Sequence, residues 1–294
     1  MAKKFIIISG CSFSDSGCGG EPFTSATCCS DPIITDCKVK RVPWPTMLHN
    51  MYPEIQIENY AACGHGNDWV SMSIIAGCER LLKWDVRPEE IFVLAQWTGM
   101  QRRALLVNEE TTNMHFQFKD LKDEAKKGIT NALPIGLWVD YDNEFAKILP
   151  AEQSLLMSLE HILRLQWYLK SNNINFKSFS FNDIFTDIPK DKCGFRDDEI
   201  YRGEKKDFTK TISDIYPNLS YLFDIIDWDT WWMHGKYGGM QEWIMDNVEL
   251  GLDGGGGGTW KGKPAQQFGH PLTKSHKKFT NEVIVPILKD FLNE

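Results

Sequence analysis

Long hydrophobic runs are missing from this chain of 294 residues: none approaches the roughly 20 apolar residues that cross a bilayer. The stretch from Phe5 to Ile8 is also too short for the apolar core of a secretory leader, even behind Lys3 and Lys4, so a cytoplasmic protein is expected. Basic charge is scarce as well. Lys and Arg number 32 against 40 Asp and Glu, a formal charge of −8, and the basic residues are scattered rather than striped. That balance argues against nucleic acid or an anionic membrane as partner. Paired C-x-x-C spacing is lacking too. Of eight cysteines, five (Cys11, Cys18, Cys28, Cys29, Cys37) crowd one segment without a zinc pattern. They read as reduced structural thiols, with a metal or disulfide clip as the other possibility. Gly17, Gly19 and Gly20 are followed by no G-K-[ST] and keep no G-x-G-x-x-G register, which leaves nucleotide binding with little footing. No internal repeat is seen, and neither a cofactor nor a metal is expected.

What is present is ample core material, 42% hydrophobic and 12% aromatic. Phe5-Ile6-Ile7-Ile8 is a β-branched run that stops at Ser9-Gly10, the pattern of a strand buried on both faces. Ile55 and Ile57 before Asn59, and Ile91 to Ala95, read as further strands, and Phe176, Phe179 and Phe181 mark a fourth. Helices are predicted between them. One runs from Trp44 to Met51 with Pro45 in its first turn, and another from an Asp68 cap to about Leu82. A third starts near Glu152 and ends at Ser171-Asn172-Asn173, and a last one spans Lys274 to Leu292, where Pro286 should kink or break it. Alternation of this kind predicts an α/β fold with a mostly parallel sheet and helices on both faces. A single domain over 1–294 is expected, with insertions at about 104–150 and 184–268. The second carries Trp228, Trp231, Trp232, Trp243 and Trp260 and the run Gly254 to Gly258, which reads as a mobile or closely packed loop.

Gly10-Cys11-Ser12-Phe13-Ser14-Asp15 falls where the first strand ends, the position that faces a ligand crevice in doubly wound sheets. It resembles the first motif of the SGNH/GDSL hydrolases, with Cys11 where Asp is usual. Asn59 to Asp68 is similar to the second motif, with Gly64 five positions after the Asn, and Trp44-Pro45-Thr46-Met47-Leu48 is similar to the helix between the two. Phe268-Gly269-His270-Pro271 resembles the last, D-x-x-H-P, with Gln267 where Asp is usual. Taken singly, Ser12 and Ser14 could equally cap a helix, and Gly64 could be an ordinary turn glycine.

The resemblance implies a three-layer α/β/α, flavodoxin-like fold. It also implies ester hydrolysis with Ser12 as nucleophile, His270 as base, and the Ser12 and Gly64 N–H groups holding the oxyanion. The third family motif, G-x-N-D, is missing. Gln96-Trp97-Thr98 stands there with Arg102 beyond, an arrangement similar to that of some phage-encoded SGNH-like proteins. Thr98 is therefore the expected oxyanion donor in place of the Asn, and Asn67, Gln96, Arg102 and Gln267 the expected substrate contacts. A carboxylate for His270 would have to fold back from Asp229, Glu242 or Asp253. Acyl esters, carbohydrate O-acetyl or lipid esters among them, are the implied substrates, and the Trp-rich stretch could stack on sugar rings. The competing expectation is a catalytically weak or silent module that binds glycan or serves in a virion or homo-oligomer assembly.

Overall fold

In this computed structural model, residues 3–11, 14, 42–62, 65–100, 102, 104–107, 137–140, 151–185, 216–249, 257–260, 263–266 and 271–293 are described. Four strands form one all-parallel sheet: β1 (Phe5–Ser9), β2 (Gln56–Asn59), β3 (Ile91–Trp97) and β6 (Asn175–Ser180). Their order is β2-β1-β3-β6, the order of flavodoxin-like sheets, in which the crevice lies at the carboxyl ends of β1 and β3. The two inner strands are buried along their whole length, as continuous apolar runs require, while β2 at one edge is half-buried. Two antiparallel pairs lie outside this sheet, β4 (Ala104–Val107) with β5 (Leu137–Asp140) and β7 (Gly257–Trp260) with β8 (Lys263–Gln266). Gly257 and Gly258 of the glycine run belong to β7; Gly254 to Gly256 lie outside the described residues.

Side-chain alternation sends the two faces of the sheet to different helices. Ile7 and Ser9 point to α2 (Asn67–Lys83): Ile7 nears Gly77, and the Ser9 and Ser73 hydroxyls are 2.8 Å apart. Beside α2 on that face lies α3 (Ala151–Ser171). Phe92, Gln96 and Phe179 point the other way. There they meet α1 (Trp44–Met51) and the C-terminal helices α6 (Thr273–Phe279) and α7 (Val285–Asn293). The chain is thus a three-layer α/β/α structure.

Both α2 and α3 end in the same way before the next strand. Val86 N–H donates to Leu81 O over Asp85 at φ 60, and Ile174 N–H donates to Leu169 O over Asn173 at φ 55. This is the Schellman closure, with the short polar side chains that best tolerate the left-handed conformation after glycine. The start of α2 differs from the expected Asp68 cap. Its cap is Gly66, without a side-chain bond, and Asp68 sits inside the first turn, where its carboxylate accepts Trp69 N–H at 2.8 Å and faces the positive end of the helix dipole. Pro286 neither breaks nor ends the last helix. A π turn over Thr280–Ile284 precedes it, and this wider turn absorbs a residue that has no N–H to donate.

The stretch from 184 to 268, expected as an insertion, contributes to the core where it is described. Trp231 forms a parallel bridge with Ser178 and continues the sheet beyond β6, and Trp231 and Trp243 are each only 7% exposed. Phe185, Phe223, Trp228, Trp231 and Tyr237 pack ring on ring, mostly edge to face, around centroid spacings of 4.7 to 6.0 Å. Trp231 and Trp243 are therefore core, and Trp228 packs half-buried against it. The indoles exposed among the described residues are Trp84 and Trp167. None of the described helices is long and apolar enough to cross a membrane.

Candidate active site

The carboxyl edge of the sheet concentrates buried polar side chains. Ser9, Ser14, Asn67, Gln96 and Thr98 are all fully buried there. A polar group in such a place is costly unless bonded, and these bond to one another.

Ser14 is the hub on the α1 side. Its hydroxyl donates to Gln96 Oε1 at 2.7 Å and accepts the Trp44 indole N–H at 2.8 Å. Its carbonyl accepts from Asn59 Nδ2 at 2.7 Å, and its N–H donates to Cys11 O at 2.9 Å. The ladder between the first two strands runs on past β2: Tyr60 N–H donates to Ile8 O and Ala62 N–H to Gly10 O. Gly10 has to be a glycine, since a Cβ there would come within 2.9 Å of Gln96 Cβ. Gln96 completes its own bonding through Nε2 to Met240 Sδ at 3.6 Å, at the start of α5 (Met240–Asn247).

On the α2 side the hub is Asn67. Its amide clamps the main chain of Thr98, accepting Thr98 N–H at 2.9 Å and donating to Thr98 O at 3.1 Å. The same Nδ2 also reaches Ser158 Oγ at 3.2 Å, and that hydroxyl donates to Met100 O. With both ends of its amide spent, Asn67 holds the loop after β3 in place. Thr98 Oγ1 accepts from Arg102 Nη1 at 3.2 Å, so the hydroxyl keeps its own hydrogen to give. The Arg102 guanidinium lies 5.5 Å over the Phe181 ring.

The C-terminal segment joins this cluster through α1. Trp44 N–H donates to His276 Nδ1 at 3.3 Å, which leaves the ring proton of a neutral His276 on Nε2. Val42 N–H donates to Thr273 Oγ1 at 3.3 Å. Trp44 therefore ties the segment that begins at Pro271 to the loop that follows β1.

Ser12, Gly64, His270 and Gln267 lie outside the described residues, as does Asp253. The other two acids considered for His270 are accounted for. Glu242 accepts Asp183 N–H with Oε1 and Gly239 N–H with Oε2, so it caps α5 and braces the loop after β6. Asp229 is exposed and precedes the Trp231 bridge by two residues, toward the amino end of the strands. His65 is buried and stands edge-on to Trp69 with centroids 5.0 Å apart. Asp183, buried at the end of β6, and the pair His234 and Asp246 were not anticipated. The members of that pair are 12 residues apart, and no spacing rule joins a turn histidine to a helix carboxylate. Among the described residues no group of three or more His, Cys, Asp or Glu could hold a metal ion.

The chain matches no family model and no curated protein.

Proposed function

We propose that this protein is a serine ester hydrolase of the SGNH/GDSL type working at the carboxyl edge of the sheet, with Ser12 as nucleophile and His270 as general base. One observation carries this. The described residues that flank Ser12 (Cys11, Ser14), Gly64 (Ala62, His65) and His270 (Thr273, His276) belong to segments hydrogen-bonded to one another around Gln96 and Trp44. Five stretches far apart in sequence thus converge where a flavodoxin-like sheet opens its crevice.

In this scheme Ser12 Oγ attacks the acyl carbon while His270 takes its proton, and the alcohol leaves with that proton. Water then releases the acyl group by the reverse transfer. The N–H groups of Ser12 and Gly64 hold the oxyanion, and Thr98, its hydroxyl polarised by Arg102, stands in for the family asparagine. Small acyl esters, carbohydrate O-acetyl groups among them, are the substrate class.

Gln267 favours a second reading. A neutral amide three residues before His270 can orient an imidazole but cannot stabilise the imidazolium, which suits a catalytically silent module for glycan binding or virion assembly. Nitrophenyl acetate hydrolysis separates the two. The esterase turns over and Ser12→Ala does not; equal, background rates for both proteins leave the silent module.

A further inference from the structure

Trp44 is the first residue of α1, so its main-chain N–H is one of the donors that a helix cannot satisfy within itself. Its neighbours cannot help. Pro43 holds the cap position without a side-chain acceptor, and Pro45, next along the first turn, has no N–H of its own. The acceptor comes from another element: His276 of α6, 3% exposed, presents Nδ1 to Trp44 N–H at 3.3 Å and so caps α1 from 232 residues away. Val42 N–H, bonded to Thr273 Oγ1 about one helical turn earlier on α6, joins the same two elements. Thr273 follows His270 by three residues.

The second donor of Trp44 reaches the other end of the chain. Its indole Nε1 donates to Ser14 Oγ at 2.8 Å, and Ser14 N–H closes onto Cys11 O at 2.9 Å, across Ser12 and Phe13. The ring is fully buried and stands edge-on to Phe179 of β6 with centroids 5.9 Å apart. A side chain with two torsions, packed at interior density, transmits a displacement instead of absorbing it.

We propose that Trp44 is the positioning residue of this site: its two N–H groups, one on Ser14 and one on His276, hold the loop that carries Ser12 and the segment that carries His270 in a single register. The catalytic consequence rests on the esterase proposal; the bracket itself does not. The two bonds act in series. Freeing either N–H lets the segments drift apart, and a base out of reach of its nucleophile takes the proton poorly.

Nitrophenyl acetate kinetics on the full chain provide the first test. Trp44→Phe, which keeps a ring against Phe179 and removes the indole donor, lowers kcat about 10-fold at unchanged KM, and His276→Leu does the same. His276→Asn, whose side-chain oxygen returns an acceptor near the place of Nδ1, recovers most of that loss, a rescue that a merely space-filling histidine would not give. Because one broken bond already frees the bracket, Trp44→Phe combined with His276→Leu falls no further than the worse single variant. Wild-type kcat in Trp44→Phe, or losses that multiply in the double variant, overturns the proposal. Amide hydrogen exchange needs no turnover: His276→Leu speeds exchange over residues 10–14 as well as at the start of α1, and His276→Asn leaves both at the wild-type rate. If the wild type hydrolyses no ester, the esterase proposal alone fails and exchange decides. Acceleration confined to α1 and α6 in His276→Leu then overturns the bracket.

Discussion

At the amino end of the sheet the strands are closed by carbon: Phe92 packs on Phe291 of α7 with ring centroids 5.4 Å apart, and Lys4 lays its ammonium over the same ring and onto the Phe291 carbonyl. At the carboxyl end of the same strands Ser9, Ser14, Asn67, Gln96 and Thr98 bury hydroxyls and amides that bond to named partners, while the Trp97 indole N–H is buried without one. Apolar packing tolerates any partner of the right volume, whereas a buried amide tolerates only the group it bonds. The amino end therefore carries stability, and the carboxyl end spends some of it to hold three loops in one geometry. Such a concentration of satisfied polar groups at one end of a parallel sheet marks where chemistry would be placed.

Several substitutions sharpen or break this contrast. Phe291→Ala should cost the most stability, about 3–5 kcal/mol by denaturant unfolding, and leave the kcat of the folded protein unchanged. A fall in kcat would mean the two ends are not separable. Asn67→Ala should cost less, about 2 kcal/mol, because it strands the buried Thr98 N–H and carbonyl. Unlike Phe291→Ala, it should also lower ester turnover, through a misplaced Thr98. Ser14→Ala is expected to cost only about 1 kcal/mol, since the freed Trp44 N–H and Gln96 carbonyl oxygen are donor and acceptor and can close on each other. A change in the fluorophosphonate-labelled residue in this variant would show that Ser14 itself is the nucleophile.

The smallest effect concerns alkaline pH. Burial, then the hydrogen bonds that they donate to Glu58 and Glu79 respectively, push the Tyr60 and Tyr168 phenols well above the tyrosine range, and burial first of all raises the Cys78 thiol. Groups raised in the folded state add stability that is complete below their unfolded values and is lost as pH climbs toward the folded ones. Stability should thus be flat through neutrality on this account and fall above about pH 9. Ultraviolet titration should find two tyrosines that ionise only with unfolding. All eight tyrosines ionising normally in the folded state would contradict it.

Most of the sheet was legible in the sequence because buried parallel strands must be continuous apolar runs, as Phe5 to Ile8 and Ile91 to Ala95 are. Helix ends were legible where Asn173 marked a stop, and misread at Asp68, where a glycine took the cap and the acid moved inside the first turn. Trp231 reads as insertion in the sequence because a single bridge to Ser178, not a run of β-branched residues, joins it to the sheet. At the site, residue types were legible and partnerships were not. The position of Asn67 after a motif points to substrate, while its amide bonds to Thr98, a contact 31 residues away that no local pattern encodes. The same holds for Ser14, whose hydroxyl answers to Gln96 and Trp44.

Labelling with a fluorophosphonate probe, followed by mapping of the modified residue, tests the central claim most directly. Phosphonylation at Ser12, absent in Ser12→Ala and retained in Phe291→Ala, is the predicted result. Label at Ser14, or no label on the folded protein, would contradict it.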